Sequence, residues 1–221
     1  MKTYDFIFLV IRRPTRSTPR FICQIGLAYV KDGEIVKKSS YLIQPPENHI
    51  EPILTKIHNI SSEDTLSASL FPKVWKSISE ELLSNKIVAH NASFDQSVIK
   101  ENLEYYGISD ALNAFECTYK IFKQGLKDLC MGFDMSYTNH HDACFDADCC
   151  AQFYLNYLDN KYPKNFTAQA TKTSKKKKVV EKVEQNLQAD SSNPFYKKRV
   201  VVTGTFSVDR SLLANDLAFL G

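Results

Sequence analysis

Long hydrophobic runs are missing from this 221-residue chain. The longest uninterrupted apolar stretch is Phe6 to Ile11, far short of the roughly 20 residues that span a bilayer. No basic-then-apolar leader opens the sequence, so secretion is not expected. Glycine and proline are sparse, at 7 and 8 residues, which excludes a collagen-like chain. The six cysteines, Cys23, Cys117, Cys130, Cys144, Cys149 and Cys150, include no C-x-x-C pair and no second cluster at zinc spacing. Most lie in apolar-periodic segments and read as buried, reduced thiols of a cytosolic protein.

What is present is ordinary for a globular chain. Hydrophobic residues make up 43% and charged residues 24%, which excludes wholesale disorder. A domain usually takes about 100–200 residues, so one full domain and a remainder are expected. The net charge of +3 is unevenly placed. Residues 171–200 carry nine Lys or Arg against three Asp or Glu, leaving −2 over residues 1–170 and −1 over residues 201–221. The basic character thus belongs to one segment and not to the folded body.

Periodicity divides the chain. Tyr4 to Ile11 suits a strand buried on both faces. Phe21 to Val30 and Glu34 to Ile43 read as two more strands, joined by a hairpin at Lys31-Asp32-Gly33-Glu34. After Pro45-Pro46 the period changes: Phe71, Val74, Trp75, Ile78, Leu82 and Leu83 recur at helical spacing. A short strand at Lys86–Ala89, a helix over Ser93–Tyr106, a short strand at Ala114–Thr118 and a helix over Asp142–Leu158 complete a mixed α/β pattern. The pattern stops near Tyr162. Lys175-Lys176-Lys177-Lys178 and Ser191-Ser192-Asn193-Pro194 read as a solvated linker, either a plain tether or a contact for nucleic-acid backbone. Lys198 to Thr205 and Arg210 to Leu220 then read as a strand and a helix too short to bury a core alone.

Three stretches could carry chemistry. His90-Asn91-Ala92-Ser93-Phe94-Asp95 lies where a strand gives way to a helix, the usual place for ligands in α/β sheets. Its plainer reading makes Asn91 or Ser93 a helix cap and Asp95 a first-turn charge. His140-His141-Asp142-Ala143-Cys144-Phe145-Asp146 puts an imidazole at a helix start and a carboxylate about one turn on. That is a hydrolytic pairing if Asp146 holds a cation while His141 takes a proton from water. The alternative is Asp142 as a cap and Asp146 as a surface acid. The third is the first strand. A two-metal phosphodiesterase site wants about four carboxylates around ions roughly 4 Å apart. This strand offers only Val10, Ile11, Arg12 and Arg13. Asp5 and Glu34 are the nearest acids in sequence, and neither has the spacing.

These residues resemble the DEDDh 3′-5′ exonucleases of the DNA polymerase III epsilon-subunit (DnaQ-like) type. The marks run from Ile22-Cys23-Gln24-Ile25-Gly26 through Ile57-His58-Asn59-Ile60 and Val88-Ala89-His90-Asn91-Ala92-Ser93-Phe94-Asp95. They continue with Cys117-Thr118 and with His141 followed by Asp146. The segment from Asn193 to Phe206 resembles the start of a BRCT domain. The resemblance implies a ribonuclease H-like mixed sheet flanked by helices over residues 1–161, a lysine-rich linker over 162–196 and a truncated BRCT β-α unit over 197–221. It further implies Asp95 and Asp146 as metal carboxylates for Mg²⁺ or Mn²⁺, His141 as general base, and Asn91 and Phe94 lining the nucleotide site. Thr203 and Gly204 would form the phosphate-binding turn of the BRCT unit. The implied partners are a single-stranded 3′ end and DNA polymerase subunits, in a bacterial-type cytoplasm and away from membranes.

The departure from that pattern lies in motif I. Aligned back from Thr15, the Asp-x-Glu-Thr positions hold Val10, Arg12 and Arg13, so both carboxylates are replaced. Two unit charges 4 Å apart interact by about 4 kcal/mol at an effective dielectric of 20, so Arg12 would repel an incoming cation. The expectation is a folded exonuclease with little metal and impaired two-metal hydrolysis, or an inactive nucleic-acid-binding module or remnant. Arg12 is expected either to pair with Asp146 or Asp95, or to turn aside to solvent. Two compensating frame slips would also produce this pattern, because Ile-Arg-Arg codons can encode Phe-Glu in the next frame.

Overall fold

The computed structural model describes residues 3–136 and 141–164. The chain divides into two compact units, residues 1–168 and 169–221. The second unit, and with it the expected linker core, Thr203 and Gly204, lies outside the described residues.

Three strands open the fold: β1 (Phe6–Arg12), β2 (Gln24–Lys31) and β3 (Glu34–Gln44). Short helices α1 (Pro52–His58) and α2 (Ser62–Thr65) follow, then strand β4 (Ser69–Leu70) and helix α3 (Phe71–Ser84). Next come β5 (Ile87–Ala89), α4 (Ala92–Tyr105) and β6 (Glu116–Cys117). Helices α5 (Thr118–Phe122), α6 (Leu126–Gly132) and α7 (Ala143–Leu158) close the unit.

The six strands form one sheet in the order β4-β3-β2-β1-β5-β6. β1, β2 and β3 are the antiparallel meander expected from the alternation and the Asp32-Gly33 turn. β5 pairs parallel to β1, and β6 parallel to β5. This is the mixed, ribonuclease H-like sheet with helices on its faces.

Strand β1 is central, and its side chains alternate between two cores. Ile7, Leu9 and Ile11 pack with Phe71, Trp75, Ile78, Val98 and Leu103 from α3 and α4. Phe8 and Val10 face Ala143, Ala147, Cys150 and Tyr154 of α7. Apolar residues are therefore needed at every position, which is why the strand reads as a continuous run. The spacing in α3 also holds: Phe71, Val74, Trp75, Ile78 and Leu82 are buried. Each such side chain contributes about 1.5–3 kcal/mol by leaving water. All six cysteines are free thiols; Cys117 and Cys144 are half-buried and the other four buried.

Two features bring α7 close to the sheet. A Cβ on Gly26 would lie 2.1 Å from the Ala143 carbonyl carbon, so only glycine lets the start of α7 rest on β2. Beside it the Gln24 side chain accepts a bond from Ala143 N–H at 3.0 Å and donates to Asp142 Oδ2 at 2.9 Å.

Candidate active site

The site forms where the C-terminal end of β1 meets the first turns of α4 and α7. β1 pairs with β5 only through Ile7 and Phe8. Further along that edge the Ile11 N–H donates to Asp95 Oδ1 at 3.1 Å instead of to a strand. Asp95 is 4% exposed, so it is not the solvated first-turn charge of the plainer reading. Burial pushes its carboxyl up to about 7, against the opposing pull of the Ile11 N–H and the Arg12 charge.

Asp142 is the cap of α7, its side chain accepting from Phe145 N–H at 2.8 Å. Asp146 follows one turn in and is 2% exposed, which overturns its alternative reading as a surface acid. Its Oδ2 forms an ion pair with the Arg12 guanidinium. Among the described residues its Oδ1 has no hydrogen-bond partner. Burial raises this carboxyl too, opposed by Arg12 and His141.

Arg12 therefore takes the paired course and does not turn to solvent. Its Nε donates to the His141 carbonyl at 2.7 Å and an Nη donates to the Ile11 carbonyl at 3.2 Å. One guanidinium thus ties the end of β1 to the residue before the α7 cap and to a carboxylate inside the helix. Val10, two residues back on the same face, presents only methyl groups toward α7.

His141 stands next to the α7 cap with a left-handed backbone, φ 71°. Asn91 occupies the cap position of α4, also left-handed at φ 66°, but its exposed side chain makes no capping bond. Phe94 is half-buried, with the Arg13 and Arg20 guanidinium carbons 5.8 and 5.7 Å from its ring centre. Arg12, Asp146 and the His141 carbonyl are thus joined by direct bonds, and Asp95 is tied to the neighbouring Ile11 N–H, while Asn91, Phe94 and Arg13 form the α4 side.

The sequence reading gave Gln24 and Gly26 no role, yet they hold the start of α7 that carries His141 and Asp146. A glutamine inside the apolar strand Ile22-Cys23-Gln24-Ile25 was the available signal, since a buried amide must find partners. His58 was equally silent. It is buried, and its Nδ1 accepts from Ile60 N–H at 3.1 Å. That leaves the proton on Nε2, which donates to the Arg13 carbonyl at 3.2 Å.

The model of the exonuclease family (RNase_T) matches residues 15–154, well over half of the chain. The chain belongs to the exonuclease family. The match begins just after Val10, Arg12 and Arg13. Among curated relatives, the PolC-type DNA polymerase III of Staphylococcus saprophyticus is 29% identical over 145 residues, and that of Staphylococcus haemolyticus 28%. The alignment takes in 62% of this chain, which spans only about 10% of the length of those relatives. Among solved structures, exonuclease X in complex with 5′-overhanging duplex DNA is 19% identical with a TM-score of 0.54, covering 73% of this chain and 96% of that one. The nuclease domain of 3′hExo, a DEDDh family member bound to rAMP, is 12% identical with a TM-score of 0.59, covering 71% and 93%. At these identities the structural likeness establishes the fold.

Nucleases of this family generally use divalent metal ions. The donor set of this chain does not fit such a site. It offers two carboxylates, one already held by a guanidinium, beside the apolar Val10. Among the described residues no group of three or more His, Cys, Asp or Glu is placed to hold an ion.

Proposed function

We propose that this chain is a DnaQ-like 3′-5′ exonuclease domain whose two-metal hydrolysis is impaired, so that it holds nucleic-acid 3′ ends with little or no cleavage. The ion pair between Arg12 and Asp146 carries this reading. It places a fixed positive charge on a carboxylate that the DnaQ-like pattern assigns to a metal. Val10 supplies no ligand from the same strand. Asp95 is committed to the Ile11 N–H through one oxygen. The parts that would bind a strand without metal remain: Asn91 and Phe94 by α4, and the lysine run 175–178 for backbone contact. The PolC-type relatives support DNA as the substrate and a polymerase as the partner, in replication or repair.

The test is degradation of a 5′-labelled single strand, DNA and RNA in parallel, with Mn²⁺. The full chain should show no more cleavage than Asp146→Ala. The double variant Val10→Asp/Arg12→Glu, which restores two carboxylates to β1, should gain Mn²⁺-dependent 3′-end degradation. Cleavage by the unaltered chain that disappears in Asp146→Ala would mean that other ligands complete the site.

A further inference from the structure

Four arginines lie within nine residues after the middle of β1, and three have carboxylate partners. Arg12 pairs with Asp146. Arg16 pairs with Glu51 at 2.8 Å. Arg20 pairs with Glu101, its Nε 3.0 Å from Oε1, and also bonds Ser97 Oγ at 3.0 Å. Among the described residues no carboxylate pairs with Arg13. Its guanidinium instead lies over the ring of Phe94, and the residue is half-buried.

Arg13 is also built onto a fixed backbone. The Arg12 carbonyl accepts from Cys23 N–H at 2.8 Å, the Arg13 carbonyl from His58 Nε2 at 3.2 Å, and the Pro14 carbonyl from Glu51 N–H at 2.9 Å. Three consecutive carbonyls are thus anchored, and Pro14 fixes its own φ. A guanidinium on such a frame, resting on an aromatic face, is pre-organised for an oxyanion and loses little freedom on binding one. Its planar fork matches phosphate geometry.

The charge around it has the same sense. Arg12 offsets Asp146 and Arg20 offsets Glu101, so Arg13 is the unbalanced charge beside Phe94. A nucleotide lying beside Phe94 would bring its own phosphate within reach of that guanidinium. We propose that Arg13 binds the phosphodiester of the 3′-terminal nucleotide, so that the domain holds a strand end without divalent metal. This rests on the reading of the domain as a 3′-end binder and names the residue and the group it recognises.

The test is fluorescence anisotropy of the full chain with a short 5′-labelled single strand in EDTA at physiological salt. Each protein is measured on a normal strand and on one whose last linkage is a neutral methylphosphonate. The lysine run meets the rest of the strand equally in every arm. Arg13→Gln should weaken binding of the normal strand about tenfold, the scale of one charge-assisted bond to phosphate. The methylphosphonate should weaken the unaltered chain by a similar factor and Arg13→Gln by less than about twofold, and Arg13→Lys should recover part of the loss. An unchanged melting temperature assigns these effects to the contact. Equal binding by Arg13→Gln, or an equal methylphosphonate loss in both proteins, would overturn the assignment to Arg13. Binding that vanishes in EDTA would overturn metal independence. No binding by the unaltered chain in any condition would instead remove the 3′-end reading itself.

Discussion

Arg12 decides what the end of β1 can hold. Its charge pairs with Asp146 and also acts on the Asp95 carboxyl, and its three hydrogen-bonding nitrogens are all used. Removing one member of a buried ion pair leaves the other uncompensated, at a cost of about 3 kcal/mol. Arg12→Leu should therefore destabilise the fold by about that amount in urea unfolding. Arg12→Leu/Asp146→Leu should recover most of it, because no buried charge is left behind. Additive losses in the two single variants and the double would show that the pair is not coupled.

Asp95 gives a second residue-scale test with a definite sign. Its folded carboxyl titrates near 7, above the roughly 3.9 of an unfolded aspartate. The folded state therefore holds the proton more tightly. That contribution to stability is complete below about pH 4 and is lost as the pH rises through 7. Asp95→Asn keeps an oxygen for the Ile11 N–H and cannot ionise. Its melting temperature relative to the unaltered chain should climb between pH 4 and 7 and then level off. A difference that does not move with pH would mean that Asp95 stays ionised in the fold.

At the scale of elements, the site depends on how closely α7 approaches β2. Gly26 permits the approach and Gln24 fastens it. The clash of a Cβ there is with backbone, so it cannot be relieved by a side-chain rotation. Gly26→Ala should cost about 1–3 kcal/mol or more and should shift the α7 resonances, Asp146 included, in an amide NMR spectrum. A spectrum changed only around residue 26 would contradict this placement. The longer elements were legible in the sequence: the meander, α3, α4 and α7 lie within a few residues of their expected bounds. β6 also falls inside the strand expected at Ala114–Thr118, although only Glu116 and Cys117 pair, with β5. Those missed are short, α1 among them. In α1 the apolar Ile53 and Ile57 face outward, so its period points away from the core.

At the scale of the whole molecule, the sheet order places β1 in the middle, with α4 and α7 reaching its end from either side. That frame is the family's, and it was legible because His90 to Asp95 and His141 to Asp146 stand at the starts of two helices. The bonds that finish the site were not legible, because Gln24 and Arg12 find partners more than a hundred residues away. The sequence alone does not choose among Asp146, Asp95 and solvent for Arg12; the fold selects Asp146. Under the proposed function this frame carries a guanidinium in place of bound metal. Calorimetric titration of Mn²⁺ into the full chain and into Val10→Asp/Arg12→Glu tests it most directly. The expected result is no saturable binding by the unaltered chain and saturable binding by the double variant. Stoichiometric binding by the unaltered chain, abolished in Asp146→Ala, would contradict it.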